Sequence, residues 1–365
     1  MKYLEEFRNF ELAQKLSQKI KEIAKGAGQI KLMEVCGTHT MAIHKFGIKS
    51  LLPENIRLIS GPGCPVCVTP NNYIDHAIAL SQKKGTLITT FGDMLRVPGS
   101  SKSLEQSRAE GGAVKMVYSP QDALKLAEEN PDLKVVFLAV GFETTSPAIA
   151  RTLEEAEEQG IRNFYLLVGH KLIPPAMKAL VENERIGING FICPAHVSTI
   201  IGLEPYRFLA KDYNIPCVVA GFEPLDILQG ILMLVEMIVS GKADVKNQYR
   251  RVASDAGNKK AQELLAKIFE PADSEWRGLS IIPKSGYKLK EKYSHRDAEK
   301  MIPVEVEPSR EHKGCRCGEV LQGLIEPPEC PLYGKVCTPE KPVGPCMVSS
   351  EGSCSAYYKY VGVSS

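Results

Sequence analysis

Short apolar runs that end in glycine-rich turns punctuate the first two thirds of the chain: IKLMEVCG from Ile30, IRLISGPG from Ile56, TLITTFG from Thr86, KVVFLAVG from Lys134, FYLLVG from Phe164 and CVVAGF from Cys217. Brief apolar, β-branched runs without polar alternation are what strands covered on both faces require, so each predicts a buried parallel strand. Between them lie amphipathic stretches, Gln121 to Glu129 and Ala148 to Gln159, and Ser146 followed by Pro147 is a good helix start. Strand and helix thus alternate as in an α/β fold. Residues 1 to about 25, opening MKYLEEFRNFELAQKL, predict a helix ahead of the first strand.

An internal likeness runs through these strand ends. Cys64-Pro65-Val66-Cys67-Val68 overlays Cys193-Pro194-Ala195-His196-Val197, Phe91-Gly92-Asp93 falls opposite Gly221-Phe222-Glu223, and Val35-Cys36-Gly37 matches Leu167-Val168-Gly169. Two related parallel-sheet α/β lobes account for it, with chance similarity between strand ends as the competing explanation. The division that follows is 1–130 for the opening helix and first lobe, which holds the thiols, and 131–240 for the second lobe. Residues 241–365 form a third part: a helical region over Lys259 to Phe269, a proline- and charge-rich connector from Pro283 to Glu311, and a cysteine-rich tail.

At 365 residues and 44% hydrophobic the chain can bury a sizeable core. Its 45 basic and 43 acidic residues form no long block of one sign, so neither nucleic acid nor an anionic membrane surface is an expected partner. The charged amino terminus lacks the apolar run of a signal peptide. The stretch from Ile231 to Val239 is broken by Glu236 and is far shorter than the ~20 residues of a membrane span. A cytoplasmic protein without membrane insertion is therefore expected, and in that reducing compartment eleven cysteines point to metal binding or redox chemistry.

Cys36-Gly37-Thr38-His39-Thr40 stands where a strand should end and a helix begin, a position that favours thiolate, with His39 as a proton carrier or donor nearby. Inert packing is the plainer reading of a strand-end cysteine. Gly61-Pro62-Gly63-Cys64-Pro65-Val66-Cys67 sets two thiols at the spacing of a reversible disulfide or of half a metal site. Asp93 and Arg96 should share the same rim, as a group-orienting carboxylate and an anion holder or as a plain ion pair. His196 mirrors Cys67 in the second lobe, and Gly141-Phe142-Glu143-Thr144-Thr145 supplies either a ligand rim or a helix cap. In the tail, Cys330-x6-Cys337-x8-Cys346-x7-Cys354 offers four thiols to a [4Fe–4S] cluster or to tetrahedral zinc, and the spacing alone does not choose. Cys315 and Cys317 are alternative ligands or an extra redox pair.

Taken together, CGTHT, GPGCPVC, FGDMLRVPGS, GFETT, PAHVS, GFEPLDIL, CPLYGKVCTP and GPCMVSSEGSC resemble the HypD family of nickel–iron hydrogenase maturation factors, from about Cys36 to Tyr360. The resemblance implies two α/β lobes and a small carboxy-terminal region that carries a [4Fe–4S] cluster on Cys330, Cys337, Cys346 and Cys354. It implies that HypC is a partner and that the pair holds an iron atom, the Fe(CN)2CO cargo, bound through Cys36 and served by the redox pair Cys64 and Cys67. Cyanide would come from a modified cysteine of HypE, in a HypC–HypD–HypE complex. Two readings from other classes stand beside it: a disulfide reductase like ferredoxin–thioredoxin reductase, and a binding protein whose tail holds zinc. No Walker-type glycine loop is present.

Overall fold

The computed structural model describes residues 5–362. The strands are β1 (Ile30–Glu34), β2 (Ile56–Ser60), β3 (Thr86–Thr90), β4 (Val114–Met116), β5 (Lys134–Ala139), β6 (Phe164–Val168), β7 (Gly190–Pro194), β8 (Cys217–Ala220), β9 (Val245–Asn247), β10 (Phe269–Trp276) and β11 (Ser280–Leu289). The six apolar runs are β1, β2, β3, β5, β6 and β8. In β5 every residue after Lys134 is buried, because helices cover both faces of a parallel sheet.

Two parallel sheets form, one ordered β2-β1-β7-β8-β9 and the other β4-β3-β5-β6. Both lobes are α/β, as expected, but only the sheet β4-β3-β5-β6 comes from a continuous stretch of chain. After β2 the backbone leaves the first sheet, builds β3 to β6, and returns so that β7 pairs with β1 at Leu32↔Gly190. The boundaries at 130 and 240 therefore do not follow the sheets: residue 130 falls between β4 and β5 of one sheet. The internal likeness also crosses lobes. Cys64 follows β2 and Cys193 lies in β7, both of the first sheet, whereas Cys36 follows β1 and Val168 ends β6 of the other sheet.

The helices start where the sequence allows. Pro120–Glu129 opens on a capping box between Ser119 and Asp122, and Ser146–Glu158 carries Pro147 in its first turn. The opening helix Phe10–Ala24 lays Ala13, Ile20 and Ala24 into the core formed by Pro224–Ser240 and one face of the first sheet. No helix among the described residues is long and apolar enough to cross a membrane.

Beyond the helix Lys259–Ile268, β10 and β11 form an antiparallel hairpin that the helix-then-connector reading omits. Its inward side chains, Phe269, Trp276, Ile282 and Leu289, are separated by charged and small residues, and a bulge near Asp273 breaks the period. The tail that follows, with short helices at Cys317–Leu321 and Ser353–Tyr360, joins the same core as Cys64, Cys67 and Trp276.

Candidate functional site

In the first sheet the chain proceeds from β1 to β2 on one side while β7 lies on the other, so the carboxyl ends of β1 and β7 flank a topological switch point, where open α/β sheets bind ligands. Cys36 ends one side and His196 the other. Cys36 caps the helix Gly37–Lys45 in an extended conformation, and its N–H donates to Glu34 Oε2 at 2.9 Å. The Gly37 N–H donates to the Gly63 carbonyl at 2.8 Å, which draws the Gly61–Cys67 turn against Cys36. Only glycine fits at Gly63, where a Cβ would stand 2.1 Å from the Cys36 nitrogen.

The local electrostatics differ from the expected low-pKa thiol. Burial and the Glu351 carboxylate push Cys36 up to about 12, against the amides of His39 and Thr38, which favour thiolate. The start of a nine-residue helix does not offset the loss of water at a side chain only 8% exposed. Burial likewise lifts Glu34 to about 8, although Thr40 and the Cys36 amide donate to it.

His39 turns away toward β8. Its Nε2 lies 3.0 Å from both the Ala220 and the Gly221 carbonyl and therefore carries the proton, its Nδ1 is buried without a partner, and burial holds it near 4. The Phe222 ring lies between two imidazoles, 4.8 Å from His39 and 4.2 Å from His196. The tail covers this group: Glu351 packs against Gly37 and accepts from the Thr38 hydroxyl at 2.7 Å. Glu34 and Glu351 were not among the residues singled out in advance, and Phe222 was named only as a member of the matched run Gly221-Phe222-Glu223. The available signal for Glu34 was an acid at the end of an apolar strand.

A second group continues from the first. Cys64 caps the short helix Pro65–Val68, and the thiol of Cys67, at its far end, meets those of Cys346 and Cys64. Cys346 meets Cys317 and Cys354 as well as Cys67, and Cys317 meets Cys315, so sulfur follows sulfur from Cys64 into the tail. Burial raises Cys67, and the hydrogen bond to Cys317, followed by burial, raises Cys315. Cys317 and Cys346 are raised although one hydrogen bond each, from Cys315 and from Cys317, acts the other way. Cys337 accepts the Val343 N–H at 3.3 Å, has the thiols of Cys354 and Cys315 nearby, and is raised chiefly by burial. Cys330 is buried in the same core. Among the described residues no three His, Cys, Asp or Glu side chains converge as a mononuclear metal ion requires.

The other expected residues serve assembly. Arg96 ignores Asp93 and donates to the Pro339 carbonyl at 3.2 Å and the Val348 carbonyl at 3.0 Å, fixing the tail on both sides of Cys346. Glu143 accepts the Ile173 N–H at 3.0 Å, as a cap for the helix Ile173–Val181, and burial raises it to about 7.

The family model described as "HypD: Hydrogenase formation hypA family" matches residues 11–361. The chain belongs to the HypD family. Its similarity to individual members of the HypD family extends over their whole length. It is 47% identical to the hydrogenase maturation factor HypD of Azotobacter vinelandii, covering 99% of this chain and 97% of that protein. The HypD factor of Escherichia coli (strain K12) is 46% identical over 99% of this chain and 98% of its own. That of Cupriavidus necator is 44% identical over 99% and 97%. HypD membership gives the chain a role in hydrogenase maturation.

Proposed function

We propose that this chain, with HypC, is the scaffold on which the iron of the nickel–iron hydrogenase site acquires cyanide and carbonyl ligands. The observation that carries the reading is that the turn bearing Cys64 and Cys67 is backed onto Cys36 while its thiols lead on into the tail. Cys36 anchors the iron cargo at the switch point, since a soft thiolate suits low-spin iron and metal binding displaces the thiol proton despite burial. Cyanide arrives on sulfur, as a thiocyanate on a cysteine of HypE. One thiolate of the Cys64–Cys67 pair attacks the thiocyanate sulfur and cyanide leaves as the anion. The second thiol then displaces the donor cysteine, so two thiols become one disulfide, the donor departs as a thiol and one proton is released.

The tail suits a [4Fe–4S] cluster: its thiols are buried or, at Cys315, half-buried, and Cys337 accepts an amide N–H, as thiolates at the corners of a cluster do. We assign the ligands to Cys315, Cys330, Cys337 and Cys354. Cys346 was the expected fourth ligand, but its contacts with Cys67 and Cys317 favour a dithiol with Cys317, standing between the cluster and the Cys64–Cys67 pair. When bound, such a cluster supplies electrons one at a time to restore the dithiols.

Infrared spectra of the complex co-purified with HypC test the function: cyanide and carbonyl bands are expected, and Cys36→Ser abolishes them while the visible absorption of the cluster remains. Bands that survive in Cys36→Ser exclude this anchor. Iron content of anaerobic protein tests the ligand set, with loss of the cluster in Cys315→Ala and its retention in Cys346→Ala. The reverse result makes Cys346 the fourth ligand, and stoichiometric zinc without a cluster removes the assignment. The same thiol continuity also suits a ferredoxin–thioredoxin-reductase-like enzyme, which would turn over thioredoxin without HypC.

A further inference from the structure

The turn of the β10–β11 hairpin is wedged between the two thiol elements. Arg277 donates its backbone N–H to the Val68 carbonyl at 2.9 Å, at the end of the helix that carries Cys67. The next residue, Gly278, lies so close to Gly318 that a Cβ on it would stand 2.2 Å from the Gly318 Cα, and Gln322 Nε2 donates to its carbonyl at 2.6 Å. Gly318 and Gln322 belong to or directly follow the helix Cys317–Leu321. Arg277 is thereby fixed between Cys67 and Cys317.

Its side chain is 6% exposed, and Nη1 is buried with no partner. The nearest acid, Glu311, is 3.5 Å from Nε and 59% exposed, a weak and hydrated contact. The other buried basic side chains among the described residues are differently engaged. Arg296 is bound by Glu157 and the Ile161 and Phe164 carbonyls, and Lys171 donates to Ser274. Leaving a guanidinium buried and underpaired is strongly unfavourable. The elements that fix Arg277 carry thiols, Cys67 on one side and the Cys315–Cys317 segment on the other. An uncompensated buried cation beside them calls for a buried negative charge, and four thiolates around a [4Fe–4S] core carry a net negative charge.

We infer that Arg277 is the built-in counter-charge of the tail's iron–sulfur cluster, a positioning residue that compensates the cluster's negative charge in an apolar core and holds its reduction potential up. The inference rests on the reading of the tail as an iron–sulfur site and goes beyond it by naming what compensates the charge. Redox titration of anaerobically purified full-length protein, followed by the visible absorption of the cluster, tests it. Arg277→Met, similar in volume and neutral, should keep the cluster and shift the equilibrium at least tenfold toward the oxidised form, about 59 mV for one electron. Arg277→Lys should lie between Met and wild type, and Glu311→Gln, at the exposed contact, should shift it less than threefold. An Arg277→Met protein with full cluster content and a wild-type potential overturns the inference. If Arg277→Met does not load, Arg277→Lys decides: loading as wild type upholds the charge requirement, and equal loss reduces Arg277 to packing. Wild-type protein without any cluster fails the iron–sulfur reading itself, and this inference with it.

Discussion

His170 is a polar side chain with nothing polar to meet. Both ring nitrogens are buried without a partner, and the ring stands edge-on to Phe269 at 5.1 Å and Tyr287 at 6.1 Å. Burial, reinforced by Lys171, holds it neutral down to about 3. In the unfolded chain it takes up a proton near 6.5. Between those values the unfolded state binds the extra proton, so stability falls as pH drops from about 6.5 toward 3. Each unit of that difference is worth about 1.36 kcal/mol, so His170 alone contributes on the order of a few kcal/mol to acid sensitivity. His170→Leu is expected to raise stability at pH 7 by about 1 kcal/mol, because an unsatisfied polar group is removed, and to flatten the acid limb. Urea midpoints at pH 7 and pH 5 check this: the gap between variant and wild type must widen at the lower pH.

At the scale of elements, the turn between β2 and the helix Pro65–Val68 matters most, because it is backed directly onto Cys36. Gly63→Ala should cost about 2 kcal/mol or more and disturb the Cys36 backbone, since the Cys36 nitrogen cannot retreat without breaking its bond to Glu34. Chemical denaturation measures the first effect, and iron retention by the complex with HypC measures the second. Elements of this kind were legible in advance. Six apolar runs became six strands, and Gly61 to Cys67 lies beside Cys36 because β1 and β2 are paired. The hairpin was not legible, since Glu270, Asp273, Lys284 and Lys288 interleave with its buried residues and Pro271 and Pro283 suggest loop. The Cys36 thiol was also misjudged: position at a helix start is visible in sequence, whereas burial beneath Glu351 depends on a fold that brings residue 351 to residue 37.

For the molecule as a whole, the tail is the piece through which the thiol groups communicate. It touches the helix that Cys36 caps through Glu351, Cys67 through Cys346, and the lobe built on β4-β3-β5-β6 through Arg96. With little regular structure of its own, it depends on these contacts and on whatever its thiols bind. Removing the proposed cluster with a chelator is expected to raise amide exchange in residues 315–354 by at least tenfold while β5 and β8 stay protected, as hydrogen exchange with mass spectrometry would record. Arg96→Ala should produce a smaller loosening confined to the segment between Pro339 and Val348. Equal protection of the tail with and without metal would show that its packing is self-sufficient.

The interleaving of the sheets has a consequence for synthesis. As the chain leaves the ribosome, β3 to β6 complete their sheet within residues 86–168, but β1 waits beside β2 until Gly190 to Pro194 arrive to take its other edge. Cys36 gains its opposite wall only then, the Phe222 ring later, and the cover of Glu351 later still. The thiols that follow β1 and β2 are thus enclosed by segments made long after them, and a nascent chain that has reached only β6 holds Cys36 without its walls.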